Sequence, residues 1–424
     1  MSQADPTPHK NELNTLVDHL FRKQYGKMVS VLTSIFGFQQ IEAVEDIVQD
    51  TLLEAFNHWS YGSVPDNPEG WLMQVAKNKS LNYLKREKNK LRVYSDHAEN
   101  TSSESRINQL FLDTEIEDSM LRMIFACCQP IISKEDQVAI ILKTLCGFGS
   151  KEIASALLIG EEAVNKRIYR AKQQIIGENI QLQVPIGQEL NQKLEVVCTS
   201  LYLLFNEGYN SDHPEHLIRK DLCLEAMRLC KLLTSHFRKS TKVHALMALM
   251  CFHVARFESR QDEKGAIIIF EEQDRSTWNK ELIQSGFYYL SEAAKGEALS
   301  AFHIEASIAA QHCRAKDMDS TNWKFIHTLY EMLYEYKPTP VIKLNLAIIS
   351  SKIHGLDMAI EQLLKLRNEK KLQRYYLLYA TLGEFYRQKK QEKAAIENFT
   401  KALSLTSSGK AKSFLQEKIE MLKG

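Results

Sequence analysis

Asn165, Lys166, Arg167, Arg170 and Lys172 lie within one short stretch, and their side chains are of the types that read and grip duplex DNA. Asn and Arg can bond two purine-edge atoms at once, while Lys and Arg neutralise phosphates. From Glu161 to Lys172 four cations stand against two carboxylates, with the cations gathered toward the C-terminal end. A second basic group lies earlier, where Lys85, Arg86, Lys88, Lys90 and Arg92 face only Glu87. Ahead of both, Glu45, Asp46, Gln49 and Asp50 form an acidic turn and a half suited to docking a protein. An acidic docking helix followed by basic nucleic-acid helices makes a bipolar device.

These groups need helices to aim them. Val164, Ile168 and Ala171 recur at helical spacing and form a buried stripe, which leaves the cations, Asn165 and Tyr169 on other faces. A shorter helix precedes, with Ile153, Ala154 and Leu157 on its inner face and Ser150 placed to cap its start. Gly160 opens the second helix, and Glu161 and Glu162 suit the positive end of its dipole. Two helices and a tight turn, the second ending in a basic run, outline a helix-turn-helix. A solvated basic helix face would show the same charges, so the outline alone does not settle DNA binding. In the first part of the chain, Asn67 caps and Pro68 opens a helix that runs into the Lys85–Arg92 tail. Trp59 and Tyr61 fall in the loop-like stretch WSYGSVPDN and are candidates to catch an unstacked base. Packing against Trp71 is the alternative for Trp59. Trp71 itself continues an apolar face with Leu72 and Val75 and reads as core.

The 424 residues predict about three domains, at roughly 150 residues each. Hydrophobic residues make up 44% and charged residues 25%, an ordinary soluble composition. Net charge is only +1, so any nucleic-acid contact must come from local patches. The polar start MSQADPTPHKNELN predicts no secretory leader, and no apolar run approaches the roughly 18 residues that span a bilayer. The eight cysteines lack paired metal spacing and read as reduced, buried thiols of a cytoplasmic protein. Glu207, His213, His216 and Asp221 cluster near LFNEGYNSDHPEH, but no further ligands follow at metal spacing. No nucleophile elbow, P-loop or dinucleotide fingerprint occurs.

Periodicity at three and four residues dominates, so the chain is expected to be all-α. The best strand candidate, Ala266 to Phe270, is short. Four segments emerge: a first helical block at 11–92, a polar linker at 93–116, a second block with the helix-turn-helix at 117–180, and a long helical block at 188–424. In the last block Tyr379, Leu382, Gly383, Tyr386, Ala395, Phe399 and Ala402 fall on the tetratricopeptide pattern, a helix pair of about 34 residues. One unit earlier, Leu346, Ala347, Ala359 and Leu363 occupy matching positions, with Ala347 in the glycine slot. Stacked pairs bury a continuous core, which predicts an α-solenoid for this block.

Taken together, the segments resemble the sigma-70 family, and within it the extracytoplasmic-function (ECF) sigma factors. EDIVQDT resembles regions 2.1 and 2.2, WLMQVAKNKSLNYLKRE regions 2.3 and 2.4, and IASALLIGEEAVNKRIYRAK region 4.2. Regions 1.1 and 3 have no counterpart. LRMIFACCQPIIS, LYLLFNEGY, FEEQDRSTWN and PTPVIKLNLAI are similar to the subgroup that carries a large tetratricopeptide-like extension after region 4. That subgroup tends to have Leu where Leu158 stands, a place where many helix-turn-helix turns carry Gly.

The resemblance implies two small helical sigma domains, a region 2 bundle and a region 4 helix-turn-helix, followed by the solenoid. It implies a non-enzymatic factor, without cofactor or metal, that binds bacterial core RNA polymerase and promoter DNA and helps open the duplex. Glu45, Asp46, Gln49 and Asp50 would dock on the polymerase. Asn78, Asn82, Lys85 and Arg86 would face the −10 element, with Asn82 standing where many members carry Asp. Arg167 and Arg170 would hold the −35 element, with Asn165, Lys166 and Lys172 beside them. Apart from the resemblance, the size of the C-terminal block, more than half the chain, and its lack of a catalytic set suggest that it gates the activity, by folding against the DNA-binding helices or by binding a peptide or protein regulator. Two other readings compete. A tetratricopeptide adaptor leaves the first 180 or so residues unexplained, and an ordinary helix-turn-helix regulator leaves EDIVQD and Pro68–Lys90 unexplained.

Overall fold

The computed structural model describes residues 8–61, 64–92, 109–157, 159–209, 219–262, 268–370, 372–406 and 408–423, with the side chains of 8–19, 61 and 87–92 outside that description. Among these residues the fold is all-α, without a strand. The chain divides into two compact units, Met1–Leu203 and Leu204–Gly424.

Unit 1 is built on the long helix α1 (Pro8–Phe36). It packs on α2 (Ile41–Tyr61) and α3 (Pro68–Arg92), and also on α4 (Asp113–Cys127) and α5 (Lys134–Thr144). The two N-terminal blocks therefore share one core. Gly26 of α1 lies so close to the Leu145 carbonyl that no Cβ would fit, and Gly147, at φ +71°, sits against Arg22 and Tyr25. The helix-turn-helix follows as α6 (Ser150–Leu157) and α7 (Glu161–Gly177). Residues 93–108 of the expected linker lie outside the described residues, and α4 begins at Asp113 rather than at 117.

Several local expectations took another form. Helix α2 runs on through Trp59, so the WSY stretch is helical. Ser150 does not cap α6. Its hydroxyl donates to Asn165 Oδ1 at 2.7 Å, and the Glu152 carboxylate instead receives the Gly149 N–H at 2.8 Å. Asn67 does cap α3, accepting from the Gly70 N–H at 2.9 Å. Leu158, His213 and His216 lie outside the described residues.

Unit 2 takes in the end of α8 (Gly187–Tyr209), then α9 (Lys220–His236), α10 (Thr241–Val254), α11 (Lys280–Ala293), α12 (Ala301–Arg314), α13 (Trp323–Tyr336), α14 (Pro340–His354), α15 (Leu356–Leu366), α16 (Tyr376–Gln388), α17 (Glu392–Leu405) and α18 (Gly409–Met421). From α9 onward each helix packs on its chain neighbour. Of the anticipated strand, Ala266 and Ile267 lie outside the described residues, and Phe270 opens a 3₁₀ turn. Phe270 is held there by two cations, with the Arg256 and Arg275 guanidiniums 4.2 and 5.6 Å from its ring centroid.

The last helix pairs show why small residues recur. Leu382, Gly383, Ala395, Phe399 and Ala402 are buried in one cluster with Ala347, Ala359 and Leu363 of the preceding pair. A Cβ on Gly383 would meet the Phe399 ring at 2.6 Å. Gly383→Leu is expected to splay α16 from α17 at a cost of about 1–3 kcal/mol. That corresponds to a lowering of the unit 2 melting temperature on the order of 5 °C. An unchanged melting temperature would contradict the tight crossing.

A buried histidine pair sets a second expectation. Burial first, then the guanidiniums of Arg256 and Arg260, push the His253 pKa down to about 3. Burial with Arg256 and Arg275 does the same to His312, again to about 3. In the unfolded chain imidazole titrates near about 6.5. Between those values the unfolded chain binds more protons than the folded one, so stability is lost as pH falls below about 6.5. For His253 alone the slope approaches about 1.4 kcal/mol per pH unit. Denaturant midpoints at pH 7.5 and 5 are expected to show the loss, and His253→Phe should remove part of it.

Candidate nucleic-acid and protein interface

Helix α7 is seated by Val164, Ile168, Ala171 and Ile175, all buried, and Gly160 occupies its N-cap position in extended conformation. Its polar residues then divide by what they touch. Lys166 pairs with Glu162 at 2.6 Å on an exposed face. Arg167 is half-exposed and has no ionic or hydrogen-bond partner among the described residues. Tyr169 is 62% exposed, a planar group beside the cations that the spacing left without a role. Arg170 donates two bonds to the buried Asp136 carboxylate of α5, at 3.1 and 2.8 Å. It was expected on DNA, yet in this structure it ties α7 to α5. Arg170→Ala is therefore expected to lower the stability of unit 1, because Asp136 is left buried without its partner. Arg167→Ala should leave stability as it is. Equal melting temperatures for the two variants would contradict this division.

Helix α2 buries Val44, Ile47, Val48, Thr51 and Ala55, which turns Asp46, Gln49 and Asp50 outward. The same outer face continues through Leu53 and Phe56, 59% and 53% exposed. These two apolar residues were missed in the sequence, although the three-and-four spacing from Asp46 and Asp50 reaches them. Acidic groups beside exposed Leu and Phe make a face with both charge and apolar area, as protein interfaces require. Glu45 lies apart from that face. Its carboxylate accepts from Lys172 Nζ of α7 at 2.8 Å, and both side chains are only 12% exposed. A residue expected on polymerase and one expected on DNA thus hold each other. Arg22 of α1 makes a second link to the helix-turn-helix through Glu152.

Helix α3 is fixed at its start by Glu69, which takes Lys23 at 3.1 Å and Lys27 at 3.3 Å. Burial alone would raise the Glu69 pKa, but the two ammoniums hold it below the usual carboxylate range. Asn78, Asn82, Lys85 and Arg86 then share one exposed side of α3, and Asn78 accepts from Gln74 at 3.0 Å. The side chains of Lys88, Lys90 and Arg92 lie outside the described residues. Trp59 is buried between Phe21 and Trp71, at 5.5 Å from each ring, and is not placed to catch a base. Trp71 is half-buried and stacks on His58. The Tyr61 side chain lies outside the described residues. A polar cleft of about 470 Å³ opens instead beside the first turns of α3, lined among others by Gln24, Asn67, Gln74 and Lys77. The buried Gln24 amide has no hydrogen-bond partner there.

Comparison with known proteins adds to this geometry. Residues 20–90 match Sigma-70 region 2, and residues 132–175 match Sigma-70, region 4. Residues 193–294 match a family of unknown function (DUF6596). An uncharacterized protein of Rhizobium meliloti (strain 1021) is 27% identical over 387 residues, covering 91% of each chain. The chain therefore combines matches to the two sigma-70 regions with a C-terminal extension, which supports a role in transcription initiation. Among the described residues no helix is long and apolar enough to cross a membrane.

Proposed function

We propose that this chain, carrying sigma-70 regions 2 and 4, is an ECF-type sigma factor that binds core RNA polymerase and directs promoter-specific initiation in the cytoplasm. The observation that carries the reading is the outer face of α2. Asp46, Gln49, Asp50, Leu53 and Phe56 are exposed in a row on a helix whose other side is fully packed. In this reading Asn78, Asn82, Lys85 and Arg86 meet the −10 element, and Asn165, Lys166 and Arg167 meet the −35 element. Arg170 and Lys172 reach DNA only if they leave Asp136 and Glu45. The Glu45–Lys172 pair then belongs to a closed form of unit 1, which parts when the docking and reading helices engage their partners. The extension, with its tetratricopeptide-like helix pairs, regulates the factor through a bound peptide or protein.

The test is transcription by purified protein and bacterial core polymerase, with start sites mapped genome-wide. Promoter-specific transcripts support the reading, and their absence removes it. Arg167→Ala should weaken binding to the resulting promoter and flatten its salt dependence by about one phosphate contact. A chain cut after about Gln183 tests the regulatory role, because unchanged output would remove it.

A further inference from the structure

Unit 2 contains a chamber that the transcription reading does not use. It is a half-open pocket of about 430 Å³, lined by α14, α16 and the 3₁₀ turn at Phe270. Two segments singled out in the sequence converge on it: FEEQDRSTWN supplies Phe270 and Glu271, and PTPVIKLNLAI supplies Asn345 and Ile348. With Ala347 and Gly383 as the shared reference, Asn345 and Thr381 occupy matching positions of successive helix pairs, as do Ile349 and Phe385. The repeat therefore presents the same face twice, and both copies line one space.

Its wall is rigid. The Arg275 guanidinium donates to the carbonyls of His312 and Ala315 and to Thr321 Oγ1, at 3.0 to 3.1 Å. Arg256 donates to Gln273 Oε1 at 3.0 Å while covering the Phe270 ring.

The lining decides the chemistry. Its surface is mainly apolar, and six aromatic rings, Phe270, Trp323, Tyr330, Phe385, Phe399 and Phe414, are among the residues that line it. Its charged groups are already matched within the protein: Glu271 holds Lys352 at 2.5 Å, and Glu384 holds Arg387 at 2.6 Å. The polar groups left over are neutral. Asn345, Thr381 and the Tyr330 hydroxyl have no hydrogen-bond partner among the described residues. His312 Nδ1 is buried without a partner, and burial keeps the ring uncharged. A charged ligand would surrender its hydration for no opposite charge, while an uncharged one loses little and fills the neutral donors and acceptors.

We propose that this chamber binds an uncharged aromatic molecule bearing hydroxyl or carbonyl groups. No part of the proposal uses unit 1, so it can fail without touching the promoter reading. The test pairs two probes with nearly the same aromatic frame. N-Phenyl-1-naphthylamine is neutral, and 1-anilinonaphthalene-8-sulfonate carries a sulfonate. Each is titrated into the full-length protein and followed by its own emission and by energy transfer from tryptophan, with Trp323 in the wall. The neutral probe is expected to bind once per chain with micromolar affinity, at least tenfold tighter than the anion. Ala380→Trp fills the chamber and should abolish the signal with helical circular dichroism unchanged. Thr381→Leu, a milder filling, should weaken it severalfold and serves if Ala380→Trp does not fold. No saturable neutral-probe binding, equal binding of the two probes, or full binding by a folded filled variant would each overturn the proposal.

Discussion

Asp50→Arg combined with Phe56→Ala is expected to lower the affinity of the full chain for core RNA polymerase by at least about 100-fold, with its fold unchanged. Both residues lie on the outer face of α2, and Phe56 is half-exposed, so neither change disturbs the packed side of the helix. Asp50 has no ion-pair partner among the described residues, so its removal orphans nothing within the chain. The few hot-spot residues at the centre of an interface contribute about 2 kcal/mol or more each, and Asp50 and Phe56 are expected to be two of them. Two such losses exceed the roughly 2.7 kcal/mol that a 100-fold change represents. Fluorescence anisotropy with labelled protein and core polymerase reads the effect, and circular dichroism checks the fold. Wild-type affinity in the double variant would remove α2 from the docking surface.

The second large effect concerns Glu45 and Lys172 and has the opposite sign. Lys172→Ala is expected to raise the affinity for core polymerase by about tenfold. The ammonium and carboxylate are 2.8 Å apart and nearly covered, so neither can meet a partner while the pair holds. Removing Lys172 leaves the Glu45 carboxylate covered and unmatched, with its second oxygen already without a hydrogen bond. Such an orphaned charge costs about 3–5 kcal/mol when fully buried, and less at this residual exposure. In the proposed closed form unit 1 would bear that cost and in the engaged form it would not, so the population is expected to shift toward binding. Adding Glu45→Gln should restore most of the lost thermal stability. If Lys172→Ala lowers the affinity for polymerase, the closed pair is not what binding has to break. On promoter DNA the same variant loses one cation, so the two assays are expected to move in opposite directions.

Short-range structure was legible in the sequence because its causes are local. The stripe Val164, Ile168 and Ala171 is buried, Gly160 stands at the N-cap, and Asn67 with Pro68 opens α3. The small residues Gly383, Ala395 and Ala402 lie where the last helices cross. Long-range electrostatics were not legible. Arg170 and Asp136 are 34 positions apart, and Lys172 and Glu45 are 127 apart, so no spacing rule links them. Ser150 offers a further case: a hydroxyl at the start of a helix suits a cap, but Asn165 across the turn took it. Leu53 and Phe56 were hidden for another reason. Apolar residues on an amphipathic helix read as core, and only the packed side of α2 shows that they face outward. The chamber in unit 2 depends on how Arg256 and Arg275 fold the Phe270 turn back, which periodicity does not encode.

The most direct measurement mixes the purified full-length chain with bacterial core polymerase stripped of its own specificity subunit and weighs the products by native mass spectrometry. A one-to-one complex, lost on Asp50→Arg with Phe56→Ala, is the predicted result. Two species that stay separate at micromolar concentration, under conditions where an authentic sigma subunit assembles, would contradict it.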